Sequence, residues 1–130
     1  MLMVDMSRVR RFNTSPELLV RKTLHGVGLR FRLHDKNLPG TPDIVLKKHR
    51  TVIQVNGCFW HRHSGCKYAT TPKTNQAFWL SKFEANLERD ARKAETLRAM
   101  GWRVLIVWEC ETRDLVRLEA RLRSEFGLPP

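Results

Sequence analysis

The stretch Val52-Ile-Gln-Val-Asn-Gly-Cys-Phe-Trp-His-Arg-His-Ser-Gly-Cys66 decides the fold. Just before and into it, Thr51 to Val55 alternates and is β-branched, as a buried strand requires. The run breaks at Asn56-Gly57, a turn signal, into a segment holding two cysteines, two histidines and two large aromatics. A strand that stops abruptly among ligand-type residues is where α/β enzymes place chemistry. The stretch therefore reads as half metal knot, half active-site rim.

Working outward, residues 57 to 73 have no periodicity of their own, and so long an irregular connection is functional or stapled. Thr74 to Met100 is the longest helical pattern, closed by Gly101, with Leu80, Phe83, Leu87, Ala94 and Leu97 as its inward stripe. Asp90 falls on that stripe, and a carboxylate there must be paired or must bind something. Lys82 and Asn86 lie on the adjoining line at steps of four. Val104 to Trp108 is a dense apolar strand after a helix, implying a parallel crossover into the sheet. Thr112 to Glu125 is an amphipathic helix, expected to turn Leu115, Leu118 and Leu122 inward.

Upstream, Thr14-Ser15-Pro16-Glu17 is a helix start, with Thr14 as cap, proline in the first turn and Glu17 three residues on. Leu18, Leu19, Val20 and Leu24 continue it until Gly26 or Gly28. Leu29–Leu33, Asp43–Leu46 and Thr51–Val55 then form a three-stranded meander. A loop turning at Leu38-Pro39-Gly40 joins the first two strands, and a basic turn, Lys47 to Arg50, the second two. The expected class is α/β, a mixed central sheet flanked by helices, with one domain over 14–130. Residues 1–13 are expected to be a flexible basic arm carrying Arg8, Arg10 and Arg11.

The chain has 130 residues, 42% of them hydrophobic, enough for a real core. Its 24 Lys and Arg against 13 Asp and Glu give a net charge of +11. That field favours polyanions, nucleic acid first. No apolar run approaches the ~18 residues of a membrane span. Asp5 interrupts the opening apolar residues, so a secretory leader is not expected and a cytoplasmic, nucleoid-associated protein is. Three cysteines without a secretion signal argue for metal binding or free thiols rather than disulfides.

Cys58, His63 and Cys66 are spaced Cys-x4-His-x2-Cys, and Cys110 follows the last core strand. Together they form a Cys3His set, the donor list of a closed, structural zinc site. The alternative is that Cys58 and Cys110 are core thiols and His63 is exposed. His61 is the histidine left over, with an intrinsic pKa suited to a base near neutrality; a surface histidine or a substitute zinc ligand is the other reading. Pro42-Asp43, followed one strand later by Gln54-Val55-Asn56, resembles the Pro-Asp…(Asp/Glu)-x-Lys pattern of restriction-enzyme-like nucleases. Here Gln54 replaces the second carboxylate and Asn56 the lysine.

The motifs Asn13-Thr14-x-Pro16-Glu17, Leu38-Pro39-Gly40-x-Pro42-Asp43, Gly57-Cys58-Phe59-Trp60-His61-x-His63, Phe78-Trp79-Leu80 and Gly101-Trp102-Arg103-Val104-Leu105-x-Val107-Trp108-Glu109-Cys110 stand in order. In that order, from about Met6 to Thr112, the chain resembles the Vsr-type very short patch repair DNA mismatch endonucleases. The resemblance implies a nuclease that nicks one strand of duplex DNA 5′ to the thymine of a T·G mismatch left by 5-methylcytosine deamination. It implies Mg2+ held by Asp43 and the Val55 carbonyl, with Glu17 orienting water at the metal, His61 as general base and Asp90 supporting the neighbouring catalytic position. It implies structural Zn2+ on Cys58, His63, Cys66 and Cys110. Phe59, Trp60 and Trp79 would enter the base stack, and Lys82, Asn86 and the arm arginines would meet DNA. Lys47, Lys48, Arg50, Arg62 and Lys67 are further expected phosphate contacts. A monomer on DNA, with possible contact to mismatch-repair proteins, completes the expectation.

Two departures matter. Asn56 stands where the family often has a second catalytic histidine, and an amide cannot carry a proton. Ser64-Gly65 lengthens the zinc loop by one residue. The rival readings are a zinc-stapled mismatch-binding module without activity, marked by Asn56, and a restriction-type nuclease cutting paired DNA. A zinc hydrolase is disfavoured because four protein ligands close the zinc.

Overall fold

The computed structural model describes residues 13–130; the arm arginines Arg8, Arg10 and Arg11 lie outside them. Three helices and four strands follow in the order α1 (Ser15–Gly26), β1 (Arg32–Leu33), β2 (Ile44–Leu46), β3 (Thr51–Asn56), α2 (Gln76–Ala99), β4 (Arg103–Trp108) and α3 (Leu115–Glu125). The strands form one sheet in sequence order. β1, β2 and β3 are the expected antiparallel meander. β4 returns parallel to β3, from Thr51 opposite Arg103 to Asn56 opposite Trp108.

Strand alternation sorts the core into two unequal halves. On one face Ile44, Leu46, Ile53, Leu105 and Val107 pack with Val20 and Leu24 of α1 and Leu118 and Leu122 of α3. On the other, Val45, Val52, Leu97 and Trp102 make a small cluster under the last turns of α2. α2 thus rests on the sheet at its C-terminal end. Over the rest of its length its inner face borders a cleft with the sheet, lined by Gln54, Asn56 and Ile106 below and by Lys82, Asn86, Asp90 and Lys93 above.

This arrangement shifts the inward stripe of α2. Leu80 and Leu87 are 56% and 47% exposed, contrary to the leucine-based expectation. The face turned inward runs through Trp79, Phe83, Asn86, Asp90, Lys93 and Leu97, because it faces a polar cleft rather than a core. Leu115, also expected inside, is 47% exposed. The chain after β4 first makes a 3-10 turn over Glu109–Arg113, and Asp114 then caps α3 by accepting from the Arg117 N–H at 3.2 Å. Leu118→Ala or Leu122→Ala should cost about 2–5 kcal/mol, while Leu87→Ala should stay within about 0.5 kcal/mol. Denaturant unfolding checks the contrast.

The first strand is shorter than expected. Leu29 joins the core instead, and its N–H closes the end of α1 on the Leu24 carbonyl at 3.0 Å. Thr14 caps α1 as expected, accepting from the Glu17 N–H at 3.3 Å. The Glu17 carboxylate, however, accepts from the Asn13 N–H rather than closing on its cap.

Candidate active site and metal centre

β3 and β4 run parallel, and their C-terminal ends open into the cleft of about 850 Å³. Ligand sites of α/β sheets form at such ends. Asp43 immediately precedes antiparallel β2, so it comes to the same end of the sheet as Asn56. Asp43 and His61 both line this cleft, together with Val55, Asn56, Phe59 and Trp60.

Asp43 is tightly specified. Its Oδ2 accepts from the Val55 N–H at 2.8 Å, and its own N–H donates to Gln54 Oε1 at 3.3 Å. Burial lifts its carboxyl from 3.8 to about 6, against the pull of the Val55 N–H and with further lift from the Glu17 charge. Glu17 is buried and is gripped by Arg21, by the Asn13 N–H at 2.8 Å and by His34 Nε2 at 2.9 Å from Oε1. One ligand atom from each of Glu17, His34 and Asp43 lies within 4.8 Å of the others. A buried and a half-buried carboxylate so close favour a cation between them, and oxygen donors of this kind fit a divalent ion.

Across the cleft, His61 Nδ1 is 2.5 Å from Asp90 Oδ2. Asp90 thereby fixes the imidazole and leaves Nε2 to a ligand. The turn carrying His61 is pinned from the same helix by the Asn86 amide, which donates to the Trp60 carbonyl at 3.2 Å. The inward carboxylate of α2 is therefore paired, and Asn86 positions the aromatic turn.

Behind His61 lies the cysteine cluster. Cys58, His63, Cys66 and Cys110 place one ligand atom each within 4.8 Å of all the others. Cys58 Sγ and Cys110 Sγ are 3.7 Å and 3.4 Å from His63 Nδ1. Donors on a tetrahedral zinc ion are roughly 3.5–3.8 Å apart, from Zn–S and Zn–N lengths of about 2.3 and 2.0–2.1 Å. The donor set and spacing fit zinc. Without a cation, burial pushes the Cys58 thiol up to about 12 and raises Cys110, while Tyr68 backbone hydrogen bonding lowers Cys66. The His63 ring stacks on Trp108 at 4.2 Å and 8°.

Phe59 centres an aromatic group on the cleft rim, 5.0 Å from Trp60, 5.7 Å from Trp79 and 5.2 Å from Phe83. Phe83 is buried, but Phe59, Trp60 and Trp79 stay partly open, and Phe78 is exposed beside them. The basic residues divide differently from expectation. Lys47, Lys48 and Arg50 sit at the β2–β3 turn, at the other end of these strands from Asp43 and Asn56. Arg50 also covers Trp102 and donates to the Met100 carbonyl. Arg62 is spent on the carbonyls of Phe59, Ala69 and Thr70, tying the loop together. Lys82, Arg89 and Lys93 are the cations that line the cleft; Arg89 and Lys93, like His34, stand outside the sequence motifs. The shifted face of α2 is the signal that would have found Lys93.

The fold is that of a nuclease catalytic domain. The chain superposes on the catalytic domain of the homing endonuclease I-Bth0305I with a TM-score of 0.60, over 85% of this chain and 92% of that one, at 23% identity. The profile of the family "DNA mismatch endonuclease Vsr" matches residues 3–67. The chain is 56% identical to the type II nicking enzyme V.XorIIP of Xanthomonas oryzae pv. oryzae, over 92% of this chain and 87% of that protein. It is 44% identical to the DNA mismatch endonuclease Vsr of Escherichia coli, over 93% of this chain and 77% of that protein. The chain belongs to the Vsr family of DNA mismatch endonucleases.

Proposed function

We propose that this protein nicks one strand of duplex DNA 5′ to the thymine of a T·G mismatch by Mg2+-dependent phosphodiester hydrolysis. The observation that carries the reading is the shared cleft: Asp43 on one wall with buried Glu17 behind it, the His61–Asp90 pair on the other, aromatics at the rim. The family's name supplies the mismatch.

Mg2+ at Asp43 and the Val55 carbonyl would polarise the scissile phosphate and stabilise the leaving oxygen. His61 Nε2 takes the proton of the attacking water as its oxygen bonds to phosphorus. Asp90 stabilises the imidazolium that results, holding it by the Nδ1 hydrogen bond. As the P–O bond to the leaving sugar oxygen breaks, that oxygen takes its proton from solvent, because Asn56 can hydrogen-bond but cannot donate a proton to chemistry. Lys82, Arg89 and Lys93, which line the cleft, would meet the phosphates, with the arm arginines adding contacts. The loosely stacked wobble pair lowers the cost of wedging in Phe59, Trp60 and Trp79. Zn2+ on the Cys3His cluster holds the turn that carries His61.

His61→Ala should lower single-turnover nicking at least ~10²-fold with DNA affinity intact. Affinity should fall steeply with added salt, and Lys82→Ala with Lys93→Ala should flatten that slope more than Lys47→Ala with Lys48→Ala. The reading itself is tested with a labelled T·G duplex in Mg2+ and in chelator that spares zinc. Cutting only with Mg2+ supports it; binding without cutting under both conditions makes this a mismatch-binding protein with Asn56 as the mark of lost activity.

A further inference from the structure

His34 enters the cation corner from outside every motif quoted above. Its backbone N–H donates to the Asp43 carbonyl at 3.1 Å, which continues the β1–β2 ladder by one residue and seats the imidazole beside the carboxylates. Its Nε2 is 2.9 Å from Glu17 Oε1. The other Glu17 oxygen is taken by Arg21 and the Asn13 N–H, and one Asp43 oxygen by the Val55 N–H. Glu17, Asp43 and the His34 ring thus meet at one corner, with one ligand atom of each within 4.8 Å of the others. Neighbouring donors on an octahedral ion with bonds of 2.0–2.1 Å are roughly 2.9 Å apart, so the Glu17–His34 separation suits two ligands of one ion.

We propose that His34 is a third protein ligand, through Nε2, of the divalent cation seated at Asp43, and that it lets the Glu17–His34–Asp43 set take a first-row transition ion such as Mn2+ in addition to Mg2+. This rests on the reading of Asp43 as the cation seat. Two carboxylates neutralise a dication, and a neutral imidazole adds a donor without adding charge. Mg2+ holds to oxygen ligands and dehydrates reluctantly, whereas imidazole nitrogen suits first-row transition ions.

The test is Mn2+ binding to the full zinc-loaded chain, read by electron paramagnetic resonance without any DNA or turnover. Pulsed spectra of the wild-type protein should show a directly bound 14N nucleus. His34→Gln should erase it and weaken Mn2+ binding at least tenfold, with Mg2+ binding, from competition, changed less than threefold; unchanged zinc content and circular dichroism certify the variant's fold. Mn2+ bound without 14N coupling in the wild type, or coupling that survives in His34→Gln, overturns the assignment of His34 while leaving the Asp43 seat standing. Mn2+ binding no tighter than to Asp43→Asn overturns the seat itself, and with it the reading beneath this proposal.

Discussion

Stripping the zinc from the Cys58–His63–Cys66–Cys110 cluster should lower the thermal midpoint by more than about 10 °C and abolish nicking even when Mg2+ is supplied. The expectation follows from where the cluster sits. It ties the irregular segment between β3 and α2 to the end of β4 through Cys110, and that segment has no strand or helix to hold it. Structural zinc in small modules is worth about 10–16 kcal/mol, comparable to the whole stability of an ordinary domain, about 5–15 kcal/mol. The ten-residue core between the sheet, α1 and α3 should retain structure, so hydrogen exchange should rise first in residues 57–73. Activity should fall with it because His61 lies inside the turn that the cluster would hold, its N–H on the Gly57 carbonyl and that of His63 on the Cys58 carbonyl. Cys58→Ser should reproduce the effect. An unchanged melt after verified zinc loss would return these cysteines to the role of core thiols.

Asp43→Asn should cut nicking by about 10³-fold or more, since Lewis-acid stabilisation is worth several kcal/mol and each 1.36 kcal/mol is tenfold. The same substitution should make the cation-free protein more stable at neutral pH. The Asp43 carboxyl sits at about 6 in the fold against 3.8 as the ordinary value, because burial penalises its charge. The folded state therefore keeps this proton to higher pH than the unfolded chain. Its contribution to stability is greatest below 3.8 and is lost as pH rises through 6, leaving a cost of about 3 kcal/mol above that. Asparagine fits the same space, can still accept from the Val55 N–H and carries no charge. Wild type should thus melt lower than the variant at pH 8 without divalent ions, with the gap narrowing towards pH 5. Adding Mg2+ should raise the wild type alone. Equal midpoints at both pH values would mean that the carboxylate is not held against its charge.

The meander, the parallel return of β4 and the cysteine cluster were legible because each depends on a short-range pattern. Alternation marks strands, Leu38-Pro39-Gly40 and Lys47–Arg50 mark turns, and ligand spacing marks the metal. That Asp90 needs a partner was also legible, since a carboxylate on an inward face must be paired or bind something; that the partner is His61 came only with the fold. The face of α2 was not. Leu80 and Leu87 advertise a core stripe, but the helix lies over a cleft along that part of its length, and tertiary context overrides the pattern. Arg62 looked like a phosphate contact because composition cannot show that its donors are consumed by three loop carbonyls. His34 was hidden for another reason: only strand register brings it opposite Asp43.

The central claim is that one cleft joins mismatch recognition to hydrolysis, and strand-resolved nicking tests it most directly. Two duplexes differing only in a T·G or a T·A pair, each strand labelled separately, are incubated with the protein and Mg2+ across several flanking sequences. The account predicts a single cut, on the thymine strand 5′ to the mismatched base, with the T·A duplex left intact. Equal cutting of the fully paired duplex, or cleavage of both strands, would contradict it and leave a restriction-type nuclease on the same scaffold.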